Sequence, residues 1–357
     1  MWKRKGFPIA LLALTIMMVQ VLAALADKSQ YLTQLTMAGY YSLVIVGLTL
    51  LMGYTGQISI GHAGFFAIGG YTSALLTTYN LISQSNASGV RFVRWLHLLH
   101  AGKDLYGGEI LVVKPWAAAV LAIVVTIAIA YIIGKPVLRL KGHYLAMATL
   151  GFGTIVYKVV LGTSLLGAAD GISEIPGFPL VFGLEVTGKS ELRICNYYIA
   201  WGLLLLAMAV LTNLIHSRIG RALSAIHGAE DAANAMGVDT SRIKLRMFVL
   251  SAALAAIGGV FLTHYSGGIG PSEASIMKSV RYVAIVAIGG MANVWGALIC
   301  GVLLNFLSLR GSFGSYDDAI FGLILVVVML FAPEGLLRAD YLRHVYRRFW
   351  PWRKADA

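Results

Sequence analysis

Charge is scarce in this sequence. Asp, Glu, Lys and Arg make up 12% of its 357 residues, about half the roughly 25% of a soluble globular domain. A chain so poor in charge cannot cover a soluble surface, which excludes that class. Acidic residues are the scarcer sign, 16 against 28 basic ones. The basic surplus lies in short segments between apolar runs and at both ends of the chain, the placement that orients a membrane protein. Nucleic-acid binding is set aside on that placement. Cysteine is nearly absent. Cys195 and Cys300 lie at the edge of one apolar run and inside another, and fit neither a metal motif nor a disulfide. His62, His143 and His264 lack partners at ligand spacing, so no metal or other cofactor is expected. There is no HExxH, no pair of intramembrane carboxylates and no Ser/His/Asp set, which speaks against an intramembrane enzyme.

What the sequence has is apolar length. Hydrophobic residues make up 58% of it, and runs of about 20 residues recur, enough to cross a bilayer as helices. The expected runs are 7–26, 37–52, 58–82, 116–133, 143–161, 197–215, 247–265, a divided run over 282–309, and 319–331. The first ends Ala24-Leu25-Ala26, like a signal-peptide cleavage site, but is long for one and reads better as an uncleaved span. Lys3, Arg4 and Lys5, then Lys135, Arg139 and Lys141, then 216–246 and the basic tail 338–357 are placed in the cytoplasm. Loops 83–109, 163–196 and 266–281 are placed outside. Both termini inside require an even number of crossings, ten when 282–309 is split. The expectation is an all-α polytopic protein of about ten transmembrane helices forming one domain over residues 1–357.

Two stretches are poor simple spans. Residues 53–76 read GYTGQISIGHAGFFAIGGYTSALL, with six glycines and with Gln57, Ser59 and His62 among them. Residues 282–309 are interrupted by Gly289-Gly290-Met291-Ala292-Asn293-Val294-Trp295-Gly296. Broken spans in each half of a chain point to an internal repeat, here 36–162 against 197–331, with a pathway between the halves. Polar groups at membrane depth make Tyr54, Thr55, Gln57, Ser59, His62 and Asn293 the candidate pathway residues. His62 also suits a hydrogen-bonded packing role.

Residues 219–246 read IGRALSAIHGAEDAANAMGVDTSRIKLR, a compact knob between spans. Arg221 opens a possible short helix. Glu230 and Asp231 suit a helix first turn, and Gly237 a C-cap. Residues 183–190, GLEVTGKS, match the P-loop pattern, but no nucleotide-binding domain surrounds them and the match is taken as coincidence. Asp170 and Glu174 are read as solvated loop charges.

Asp231-Ala232-Ala233, with Gly237 four residues on, resembles the EAA signature of ABC importer permeases, with aspartate replacing the usual glutamate. Gly53-Tyr54-Thr55-Gly56-Gln57 through Gly61-His62-Ala63 resembles the branched-chain amino acid permeases. So do Leu140-Lys141-Gly142-His143-Tyr144-Leu145-Ala146, the 171–176 loop, Ile288-Gly289-Gly290 with Trp295-Gly296, and Pro333-Glu334-Gly335-Leu336. The likeness runs in order from about 36 to 338 and is closest to the LivM-type subunit. It implies a non-catalytic transport subunit in a bacterial inner membrane. The implied partners are a LivH-type permease, two ATP-binding subunits and an external solute-binding protein. Arg221, Glu230, Asp231, Ala232, Ala233 and Gly237 would then dock the ATPase. A permease for urea, short amides or another small polar solute is the alternative within the class; a stand-alone carrier lies further off.

Overall fold

The computed structural model describes residues 3–82, 94, 98–103, 109–180, 183–312 and 314–331. Most of the expected loop 83–109, the tail 338–357 and the 333–336 motif lie outside them. Among the described residues, twelve α-helices run in chain order: α1 (Lys3–Leu25), α2 (Gln30–Thr49), α3 (His62–Thr78), α4 (Pro115–Val137), α5 (His143–Gly162), α6 (Arg193–Ile215), α7 (Arg218–Gly228), α8 (Glu230–Ala235), α9 (Thr240–Ser266), α10 (Ile276–Gly289), α11 (Val294–Leu309) and α12 (Asp317–Phe331). Six of the described helical stretches, those built on α1, α2, α4, α5, α6 and α9, are long and apolar enough to cross a membrane. Of the shorter ones, α3 has 17 residues, α10 14, α11 16 and α12 15. The divided run 282–309 is two helices joined by a turn, α10 and α11.

Two differences from the sequence reading stand out. The expected loop regions contain small antiparallel hairpins, β1 (Leu99–Lys103) with β2 (Glu109–Val113) and β3 (Phe178–Pro179) with β4 (Glu185–Val186). Such short pairings leave no mark against an apolar background. Residues 240–246 belong to α9, because the Asp239 carboxylate accepts from the Arg242 N–H at 3.0 Å and starts the helix there. The exposed knob is thus shorter than 219–246.

The core is organised around α2. Fourteen of its residues are buried, and α6, α9, α10 and α11 pack around it. By contrast α1, α4 and α12 expose leucine, valine and isoleucine along their length, as lipid-facing helices do. One end of the bundle gathers loops 163–192 and 266–275: Ile172 and Ile269 exchange backbone hydrogen bonds of 2.9 and 3.0 Å, and the Arg193 guanidinium reaches Ser29 Oγ. The opposite end gathers 138–142, α7, α8 and the α10–α11 turn.

α3 and α9 make the closest long contact. A Cβ on Gly259 would overlap the Phe66 carbonyl oxygen, and one on Gly69 would lie 2.7 Å from Ala256 Cα. Only glycine lets these backbones approach so far. The contact is closed at both ends by histidine–serine hydrogen bonds. His62 Nε2 on α3 lies 2.8 Å from Ser251 Oγ on α9; Ser73 Oγ on α3 lies 2.8 Å from His264 Nε2 on α9. Gly259→Ala should therefore destabilise the purified protein by about 1–3 kcal/mol through overpacking. Gly202→Ala, where a Cβ meets nothing within 4 Å, should instead gain about 0.5–1 kcal/mol. Thermal unfolding in detergent measures both.

Candidate functional site

The first break begins where α2 ends. Its last turn widens into a π-helical turn, Leu50–Tyr54, and the chain then runs without regular structure to His62. A π-turn leaves carbonyls out of register, which a chain in a low-dielectric setting must satisfy elsewhere. The Gln57 N–H donates to Leu51 O at 3.3 Å. The Ile60 N–H donates to Thr149 Oγ1 on α5 at 3.0 Å. The Ala63 N–H, at the start of α3, donates to Ser279 Oγ on α10 at 3.3 Å. α3 thus starts inside the bundle, held by hydroxyls from two other helices.

The two breaks meet. A Cβ on Gly53 would overlap the Met291 carbonyl oxygen in the α10–α11 turn, so the α2 end and this turn are in backbone contact. The Tyr54 hydroxyl donates to Ala292 O at 2.9 Å. The turn is closed by Asn293, whose Oδ1 accepts from Gly296 N–H at 3.1 Å and caps α11.

Each candidate residue has a place in this arrangement. Thr55 Oγ1 donates to Leu51 O within its own turn at 2.5 Å. Ser59 Oγ lies 3.0 Å from His62 Nδ1, whose other nitrogen meets Ser251. His62 is therefore a clamp between the break and α9, as its packing role suggested, and Asn293 acts as a helix cap. Gln57 differs from the others. It is buried, and neither atom of its amide has a hydrogen-bond partner. The partners Thr149, Ser251 and Ser279 were missed. Each is a lone small hydroxyl on a span, which periodicity cannot distinguish from filler.

The knob sits directly beneath the break. His227, near the end of α7, lies against Gly56, its Nδ1 3.2 Å from where a Cβ would stand. Ser217 Oγ starts α7 by accepting from Ile219 N–H at 3.1 Å. Glu230, in the first turn of α8, pairs with Lys244 of α9 at 2.6 Å, a largely buried contact, and also lies near Thr240 Oγ1. Asp231 is exposed and pairs with Lys141 beyond α4 at 3.2 Å. Ala232 is exposed, Ala233 is buried, Gly237 is left-handed at φ +85° after α8, and Arg221 is exposed on α7. The P-loop-like residues 183–190 include β4, whose Val186 pairs with Phe178, so that backbone is engaged in a hairpin. Among the described residues no group of three or more His, Cys, Asp or Glu could hold a metal ion.

His62→Ala would leave the Ser59 and Ser251 hydroxyls buried and unpaired, at a cost of about 1–3 kcal/mol each. Thermal unfolding should show this loss. His62→Leu together with Ser59→Ala and Ser251→Ala, which removes all three polar groups, should recover much of it.

Comparison with known proteins places this geometry. A family model described as the branched-chain amino acid transport system, permease component, matches residues 30–332. The chain is 32% identical over 323 residues to the high-affinity branched-chain amino acid transport system permease protein LivM of Salmonella typhimurium, covering 85% of this chain and 68% of that protein. It is 31% identical over 356 residues to LivM of Escherichia coli, covering 94% and 75%. It is 26% identical over 316 residues to the permease protein LivH of Salmonella typhimurium, covering 86% and 94%. No solved structure matches. The family is one of transport components, not enzymes, and the match takes in both breaks, the knob between α6 and α9, and eleven of the twelve described α-helices in full. The chain is a polytopic, mostly helical membrane protein and belongs to the permease component family of branched-chain amino acid transport systems.

Proposed function

We propose that this chain is one permease subunit of an ATP-driven importer of leucine, isoleucine and valine in a bacterial inner membrane. Its partners are a second, LivH-type permease, two ATP-binding subunits and an external solute-binding protein. The relatives' names support the substrate class. Both termini and the end bearing α7 and α8 face the cytoplasm, in keeping with Lys3–Lys5 and the basic residues 135–141. All ten long helices cross or enter the bilayer in one domain over 1–357, and the tail 338–357 serves as a basic anchor.

The observation that carries the mechanism is the stacking of His227 on Gly56, with Tyr54 tied to Ala292 above it. A push on α7 and α8 reaches the first break through His227 and the second through Tyr54. ATP-driven closure of the partner ATPases moves 219–246, with Arg221, Glu230, Asp231, Ala232, Ala233 and Gly237 as the docking surface. The buried Lys244–Glu230 pair fixes α8 to α9, so the motion also tilts α9 and, through the glycine contact, α3. Access to a path along Tyr54, Thr55, Gln57, Ser59, His62 and Asn293 then alternates. The unpartnered Gln57 amide supports a solute or water path at that point.

Two experiments test this reading. Tagged subunit drawn from native membrane in mild detergent should bring down two ATPases and a second permease. Asp231→Lys with Gly237→Trp should lose the ATPases and keep the permease, and wild type arriving without any ATPase would sink the importer reading. Gln57→Leu with Ser59→Ala should lower leucine uptake by about tenfold or more, the loss of a buried polar contact or two. Unchanged uptake would remove these residues from the path.

A further inference from the structure

At the end of the bundle opposite the knob, one cluster of buried polar groups has no part in the breaks or in the coupling segment. Glu273 sits on a single turn, Pro271–Ala274, between α9 and α10. Its Oε1 accepts from the Tyr41 hydroxyl of α2 at 2.9 Å and from Lys278 Nζ of α10 at 3.0 Å. Lys278 Nζ also donates to the Tyr41 oxygen at 3.0 Å and lies 4.3 Å from the centre of that ring. That half of the carboxylate is satisfied. Oε2 is buried and has no partner.

Two more orphans share the neighbourhood. Tyr282 of α10 is 1% exposed and Tyr71 of α3 is 2% exposed, and both hydroxyls lack a partner. The Glu273 carboxylate is within electrostatic range of each, and the Tyr282 ring centre is 6.4 Å from that of Tyr41. The nearby Arg281 guanidinium holds Asp317 and Asp318 at 2.7 and 2.6 Å through Nη2, and its buried Nε also lacks a partner. Buried polar atoms are nearly always paired, because each orphan forfeits its hydration. Three orphans around one ion pair is a standing cost that packing alone does not explain. Their chemistry is complementary to a zwitterion: a bare carboxylate oxygen for an ammonium, and two phenol donors for a carboxylate. Apolar surface adjoins them, since Ala67, Ala74, Val160, Ile175, Ile269 and Ala274 pack with Tyr71. The turn bearing Glu273 follows Gly267, Gly268 and Gly270, a stretch whose backbone is tied at Gly267 and Ile269 to the 172–175 loop.

We propose that this cluster is a substrate station for a zwitterionic amino acid with an aliphatic side chain. Glu273 Oε2 takes the ammonium, the Tyr71 and Tyr282 hydroxyls take the carboxylate, and the apolar cluster takes the side chain. Lys278 and Tyr41 are positioning residues that hold Glu273 in place. The station rests on the importer reading given above and adds a recognition site to it.

The test uses the complete transporter, reconstituted in liposomes with its cognate ATPases, partner permease and binding protein. Radiolabelled leucine uptake is read at saturating leucine and binding protein. Tyr71→Phe and Tyr282→Phe delete hydroxyls that hold nothing in the fold, so assembly and thermal stability should be retained. Each should nonetheless cut uptake by about tenfold, as loss of a hydrogen bond to a charged group does. Glu273→Lys with Lys278→Glu keeps an ion pair but reverses its polarity. A merely structural pair would tolerate this; the station should lose uptake. Full uptake in both phenylalanine variants, or in the reversed pair, overturns the station and leaves the importer standing. If the wild-type complex moves none of leucine, isoleucine or valine, the importer reading itself has failed, and the station falls with it.

Discussion

The close approach of α3 to α9 is the contact from which the rest of the structure hangs. In a bilayer, lipid tails compete evenly with apolar side chains, so helices associate through fit and through hydrogen bonds. Here both are present along one line: glycines at 69 and 259 bring the backbones together, and a histidine–serine bond closes each end. α3 is only 17 residues long and starts inside the bundle. α5 and α10 hold its N-terminus and the irregular segment before it, and α9 walls the rest of its length. The same contact puts His62 in reach of Ser59 and so fixes the break's path.

An irregular chain at membrane depth is tolerated only where other protein groups take up its backbone polarity. The chain from Tyr54 into the start of α3 meets this requirement with hydroxyls on two other helices, Thr149 for the Ile60 N–H and Ser279 for the Ala63 N–H, while Ser251 holds the His62 side chain. Gln57 stands apart, with a whole amide unpaired. In a structure that has satisfied its neighbours so thoroughly, that exception marks a functional position more convincingly than polarity alone could. The same reasoning singles out Glu273, Tyr71 and Tyr282 at the other end. Between these two sets of unpaired groups lies the α3–α10 interface, where Ala63 is held by Ser279.

Much of this was legible in advance because apolar length is a local property. The long spans, the split of 282–309 and two short helices, one around Arg221 and one from Glu230, follow from run lengths, helix-end residues and glycines, although the first of these starts at Arg218, earlier than read. The β1–β2 and β3–β4 hairpins were not legible, since strands so short depend on where neighbouring helices end. Nor did pattern separate the glycines that touch another backbone, such as Gly53 and Gly259, from those that face open space, such as Gly202. A signal was available. Ala-Ile-Gly-Gly occurs at 67–70, 256–259 and 287–290, and these are the α3 and α9 surfaces that meet and the start of the second break.

The sequence by itself determined that the chain lives in a bilayer, where its main apolar runs lie, and which family it joins. Those follow from composition, from period and from ordered motifs, none of which needs a neighbour. Only the tertiary structure decided which polar residues are satisfied. Asn293 became a cap and His62 a clamp, while Gln57 and the Glu273 cluster were left open. Satisfaction is a relation between groups far apart in the chain: Ser251 lies 189 residues from His62, and Glu273 lies 232 from Tyr41. No local pattern encodes such a distance; the packing of α2, α3, α9 and α10 creates it.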